Sequence, residues 1–146
     1  MSRPAEAVRL DDVEPAAALA DLTEISSQIE SAVVFRADGS MLASTLADDV
    51  RAERLVGSAR ELLEAATASP AGAGRTLTQL EVALREGSVF VVLDGELGVA
   101  ATTTSSPTAG LVLYDLRTCL RSLSAPDPEE SAAPPRRRRA KKTADA

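Results

Sequence analysis

The sequence predicts an α+β domain: a five-stranded antiparallel sheet with helices on both faces, in the order αββαβββα. Three observations lead there. Apolar residues recur with the period of a helix in three separate segments. Five shorter runs between them carry the β-branched, alternating or wholly apolar patterns of strands. Asp38-Gly39, Glu86-Gly87 and Asp94-Gly95 each join two such runs, and Gly there adopts the positive φ of a tight hairpin. Hairpins make consecutive strands antiparallel, and helices packed on such a sheet give the α+β class.

Each element has its own justification. Pro15 suits the first turn of a helix, where its missing N–H costs nothing, and Glu14 adds a favourable acid. Ala18, Leu22, Ile25 and Ile29 then form a helical stripe, with Leu19 beside it. Residues 31–37 and 40–46 read as the first two strands. Asp48 or Asp49 caps the second helix, whose apolar face is Ala52, Leu55, Val56, Ala59, Leu62, Leu63 and Ala66. Arg54, Ser58, Arg60 and Glu61 sit away from that face. Residues 69–74 form a Pro/Gly loop. Residues 76–85 alternate as a half-exposed strand, and residues 89–93 are apolar on both faces, as in a central strand covered on both sides. Residues 97–102 give the fifth strand. The last helix is expected to open at Ser106-Pro107, with Ala109, Val112, Leu113, Leu116, Leu120 and Leu123 as its stripe and Cys119 one position off it.

The length of 146 residues fits one domain with tails. Residues 1–14 read as a flexible leader, 15–123 as the folded domain and 124–146 as a disordered tail. Charge follows the same division. Residues 1–123 hold 18 acids against 10 arginines, whereas 124–146 hold 4 acids and 6 bases. The tail also has four prolines and no Leu, Ile, Val or Phe, so it has little apolar surface to offset the entropy of ordering. With no His, Ser-His-Asp and Cys-His pairs and most zinc chemistry are excluded. One Cys forms neither an intrachain disulfide nor a CxxC pair. The opening residues lack a secretory h-region, and no run approaches the ~18 apolar residues of a membrane span. The expectation is a cytoplasmic domain with no catalytic residues, no cofactor and no metal.

Several motifs bear on chemistry. Residues 71–76 (AGAGRT) faintly echo a phosphate loop, but the Lys is missing and the order runs helix to strand. Residues 102–106 (TTTSS) lead toward a helix N-terminus, where capping competes with anion binding. Gly57 lies inside a helix, at about 0.5–1 kcal/mol relative to Ala. It is either a tolerated substitution or the place where another backbone comes close. The half-exposed strand 76–85 is an edge whose backbone groups need a partner.

The order αββαβββα resembles the roadblock / dynein light chain domain, found in bacteria beside small Ras-like GTPases. Residues 22–29, 32–35, Asp38-Gly39 before Met41, the helix 48–66 and the hairpin 88–95 carry the resemblance, which covers residues 16–123. It implies a non-catalytic homodimer or heterodimer in which the second helix and third strand pair across a two-fold axis, acting as a scaffold or GTPase regulator. The implied dimer interface is Gly57, Thr76, Thr78, Leu80 and Val82. A profilin- or PAS-like layout is the alternative, implying a small-ligand sensor. That role needs a polar-lined pocket between sheet and helix, whereas the inward positions Val33, Phe35, Phe90 and Val92 look solid. The tail cluster Arg136, Arg137, Arg138, Arg139, Lys141 and Lys142 reads as an electrostatic tether to an acidic partner or an anionic surface. With no aromatic residue beside it for base stacking, it is not a specific nucleic-acid reader.

Overall fold

The computed structural model describes residues 14–123. Most of the expected leader and the whole expected tail, including the cluster Arg136–Lys142, lie outside the described residues. The elements are α1 (Pro15–Ile25), β1 (Ile29–Arg36), β2 (Met41–Ser44), α2 (Asp49–Ala68), a 3₁₀ turn (Pro70–Gly72), β3 (Gln79–Ala83), β4 (Ser88–Asp94), β5 (Leu97–Thr103) and α3 (Ala109–Leu123). The sheet order is β2-β1-β5-β4-β3 and every neighbouring pair is antiparallel. The predicted class and element order are those observed.

Three tight turns set this order. Gly39 and Gly95 take φ of 96° and 64° in the Asp-Gly turns. At the first of these, the Asp38 carboxylate accepts from Ser40 Oγ at 2.7 Å and Ser40 N at 2.9 Å. Those bonds, with Arg36 and Arg60 nearby, hold its carboxyl below the usual range. Asp48 is the cap of α2: its Oδ1 accepts from Val50 N at 2.9 Å and Arg51 N at 3.5 Å.

Two cores lie on opposite faces of the sheet. On one, α1 and α3 bury Leu19, Leu22, Val112, Leu116 and Leu120 against Val34, Phe90, Val92 and Val99. On the other, α2 buries Ala52, Val56 and Ala59 against Val33, Phe35, Val91 and Ala100. The four inward positions Val33, Phe35, Phe90 and Val92 are at most 3% exposed, but they divide between the two faces, two to each core. Phe35 faces Gly98 across the β1–β5 ladder, and a Cβ at Gly98 would stand 2.7 Å from its ring. Gly98 therefore makes the seat for the ring.

Three expectations are corrected and one is refined. β4 is an interior strand paired to β3 and β5, as expected, and β5 is the middle of the five. Small residues (Gly98, Ala100, Ala101) make β5 look less apolar than it is buried. The stripe Ala18-Leu22-Ile25-Ile29 spans two elements: Ile25 ends α1 at 61% exposed, and Ile29 opens β1. Long-range bonds draw the chain out of the helix, since Gln28 O accepts from Thr104 N at 3.0 Å and Gln28 Oε1 from Thr108 N at 2.7 Å. α3 starts at Ala109, because Ser106 sits at φ 55° and not in the extended conformation of an N-cap. The Thr108 carbonyl takes the first helical bonds instead, from Leu111 N and Val112 N. β3 is also shorter than residues 76–85, so Thr76 and Thr78 precede it.

Cys119, one position off the expected stripe, is buried at 6% exposed. Burial pushes its thiol from 9.0 up to about 11, with the Asp21 carboxylate adding to the shift. The raised folded value means that the unfolded chain ionises first. Stability from this group is complete below pH 9, falls as pH rises toward about 11 and then levels off. A disulfide reagent added to the native protein at neutral pH is expected to react only as fast as the chain opens. Prompt labelling would show the thiol to be accessible.

Candidate functional site

β3 is an outermost strand, paired to β4 along one side only. Leu93 N also reaches Thr78 O at 2.9 Å, so the ladder continues one residue ahead of the strand. The opposite backbone edge of β3 has no partner strand among the described residues.

Coverage of the two sheet faces is unequal. Four inter-strand spacings make the sheet about 19 Å wide between its outer strands, and a helix is about 10 Å across. Two helices suffice for one face. On the other, α2 alone lies over β1, β2 and β5. The β3–β4 half of that face keeps Leu80, Val82 and Val89 only half-buried, and Leu55 and Leu62 of α2 are half-buried too. Leu84, just past β3, is 56% exposed. The result is an apolar shelf beside a free backbone edge.

The outward surface of α2 carries Arg51 and Arg54, then Gly57 and Ser58, then Glu61 and Glu64, with Glu53 and Arg60 interspersed, and all eight are exposed. Arg51 with Arg54, and Glu61 with Glu64, are spaced i,i+3, which is unfavourable within one helix. Gly57 adds its own helix penalty, and nothing lies within 4 Å of where its Cβ would stand. Packing within the chain thus gives no reason for a glycine there.

Of the sequence-predicted interface residues, Leu80 and Val82 belong to this region, whereas Gly57 lies on the other flank of α2, beside Glu53, Arg60 and the Gly39–Met41 turn. Thr76 and Thr78 are exposed but lie ahead of β3, which corrects their assignment to the edge strand. Arg54 and Glu61 were legible as residues pointing away from the core, and Arg51 and Glu64 were not singled out. Residues 71–76 follow α2 and lead toward β3, running from helix to strand. Among the described residues no group of three or more His, Cys, Asp or Glu is placed to hold a metal, and no helix is long and apolar enough to cross a membrane.

No protein-family model matches the sequence, and no curated protein matches it. Solved structures do share its fold. A Roadblock/LC7 domain from Streptomyces avermitilis superposes with a TM-score of 0.66 at 20% identity, over 77% of this chain and 95% of that one. MglB from Myxococcus xanthus gives 0.65 at 11% identity, over 77% and 93%. LokiProfilin2, solved with rabbit actin, gives 0.52 at 14%, over 86% and 99%. The expected five-stranded sheet with helices on both faces is observed, and the fold of residues 14–123 is that of the Roadblock/LC7 domains.

Proposed function

We propose that the chain is a non-catalytic, dimeric scaffold or regulator of the cytoplasm, and that the dimer binds a small Ras-like GTPase. The observation that carries the reading is the open edge of β3 beside the half-buried Leu80, Val82 and Val89, with Arg51, Arg54, Glu61 and Glu64 exposed on α2. Self-pairing matches opposite charges, covers apolar surface and satisfies an open strand edge in one arrangement. Likeness to Roadblock/LC7 structures supports the GTPase as the kind of partner.

Gly57 tests the dimer. Gly57→Ala is expected to raise the stability of the isolated helix by about 0.5–1 kcal/mol, since the site is open. Gly57→Leu is expected to keep the fold by circular dichroism while moving sedimentation toward the 15.2 kDa monomer. A fully dimeric Gly57→Leu chain places the contact elsewhere. The partner is tested by co-sedimentation with Ras-like GTPases loaded with GDP or a non-hydrolysable GTP analogue. The chain alone is expected neither to bind GTP tightly nor to hydrolyse it, because residues 71–76 lack the phosphate-loop Lys. Micromolar affinity for free GTP would refute this reading. For the cluster Arg136–Lys142 the proposal is a salt-dependent tether, which predicts that deleting residues 124–146 weakens adhesion to anionic vesicles or to the acidic partner at low salt.

A further inference from the structure

A cavity of about 220 Å³ opens between α3, the start of β3 and the end of β4. Arg117 and Arg121 line it from α3, one helical turn apart on the same face. Thr78 and Gln79 form the opposite wall, Val92 and Leu120 give it an apolar floor, and Asp94 stands at its rim. Arg117 is half-buried, and its Nη2 donates to Gln79 Oε1 at 2.6 Å. That bond to a neutral amide fixes the plane of the guanidinium.

From this arrangement we infer an oxyanion site for a small phosphate-bearing ligand, inorganic phosphate or a phosphate monoester. Two guanidiniums present forked N–H donors that match a tetrahedral oxyanion. The Thr78 hydroxyl adds a donor, and so does the Gln79 amide nitrogen, whose oxygen is already held by Arg117. The two positive charges suit the −1.5 to −2 charge of a phosphate monoester near neutral pH better than a single carboxylate. Val92 and Leu120 keep part of the first water layer away, which strengthens each ionic contact. The site is complete within one copy of the chain and needs neither self-pairing nor a GTPase.

The experiment is a titration of the full chain followed by backbone amide shifts, at constant ionic strength, with phosphate, glycerol phosphate, acetate and chloride. Phosphate and glycerol phosphate are expected to move the amides of Thr78, Gln79, Arg117 and Arg121 saturably, and chloride is not. Arg121→Gln, at an exposed position that leaves the Arg117–Gln79 bond in place, is expected to weaken phosphate binding about tenfold. Arg117→Gln is expected to weaken it at least as much. The inference is overturned if phosphate shifts no more than chloride, or if Arg121→Gln binds as the parent does. Acetate binding as tightly as phosphate overturns the assignment to phosphate.

Discussion

Changing Arg51 and Arg54 together to glutamate is expected to leave the chain folded and monomeric. Both side chains are exposed and neither belongs to the cores, so the domain itself should keep its stability within a few tenths of a kcal/mol. Where α2 pairs antiparallel with its copy in the proposed dimer, however, contacts of positive with negative become negative with negative, and the two-fold axis doubles each one. Like charges juxtaposed across an interface cost several kcal/mol, so the dimer dissociation constant should rise about a hundredfold or more. The companion variant Glu61→Arg with Glu64→Arg should fail alone in the same way. Mixing the two reversed chains should give a heterodimer. Analytical ultracentrifugation at low and high salt reads all three states. If the chain carrying Arg51→Glu and Arg54→Glu sediments as the parent does, α2 is not in the interface, and a parent that is monomeric at high concentration leads to the same conclusion. Moderate salt is expected to weaken the parent dimer, since these charges lie where water screens them.

Phe35→Ala is the second large effect expected, and it falls on the fold itself. Phe35 is 1% exposed, and with Val33 it anchors the core beneath α2. Removing the ring leaves a cavity over Gly98, which has no side chain with which to fill it. Buried Phe→Ala changes cost about 3–5 kcal/mol, against a total of about 5–15 kcal/mol for a domain of this size. Chemical denaturation should place the midpoint far below that of the parent, and Phe35→Leu should fall between. A midpoint within measurement error of the parent would mean that the ring is not packed as described. The result bears on self-pairing as well, because the same core positions the helix that presents the charged stripe.

Much of this architecture was legible in the residues because each local signal had one physical reading. Asp-Gly between two β-branched runs is a hairpin, and Asp48 ahead of the Ala52-Val56-Ala59 stripe is a capped helix. The misreadings arose where distant parts of the chain decided the outcome. Gln28 leaves the helical period because its side chain and carbonyl bond to residues 104 and 108. The small residues of β5 conceal a central position, since burial there follows from neighbours on both sides rather than from side-chain size. The candidate surface was half legible. Gly57 stood out against helix propensity, but the shelf depends on how many helices share each face, which no local pattern records. The α3–β3 cavity could not be foreseen, because its walls lie 38 residues apart at Arg117 and Gln79.

The two ends of the sheet differ, and the difference governs how far assembly goes. β2 has only four residues, and its register with β1 breaks between Val34 and Phe35. Thr45 follows at once, its Oγ1 accepting from Ala32 N at 3.0 Å and so occupying a place that a longer ladder would use. Such an end offers little template to a passing strand, whereas β3 offers an open one. Growth into a filament requires two adhesive ends on each unit, and among the described residues β3 is the more open of the two. In the proposed dimer, joining β3 to β3 would consume that edge, and the product would end on a β2 at either side. On the proposed pairing the sheet doubles rather than propagates, which disfavours growth into fibres.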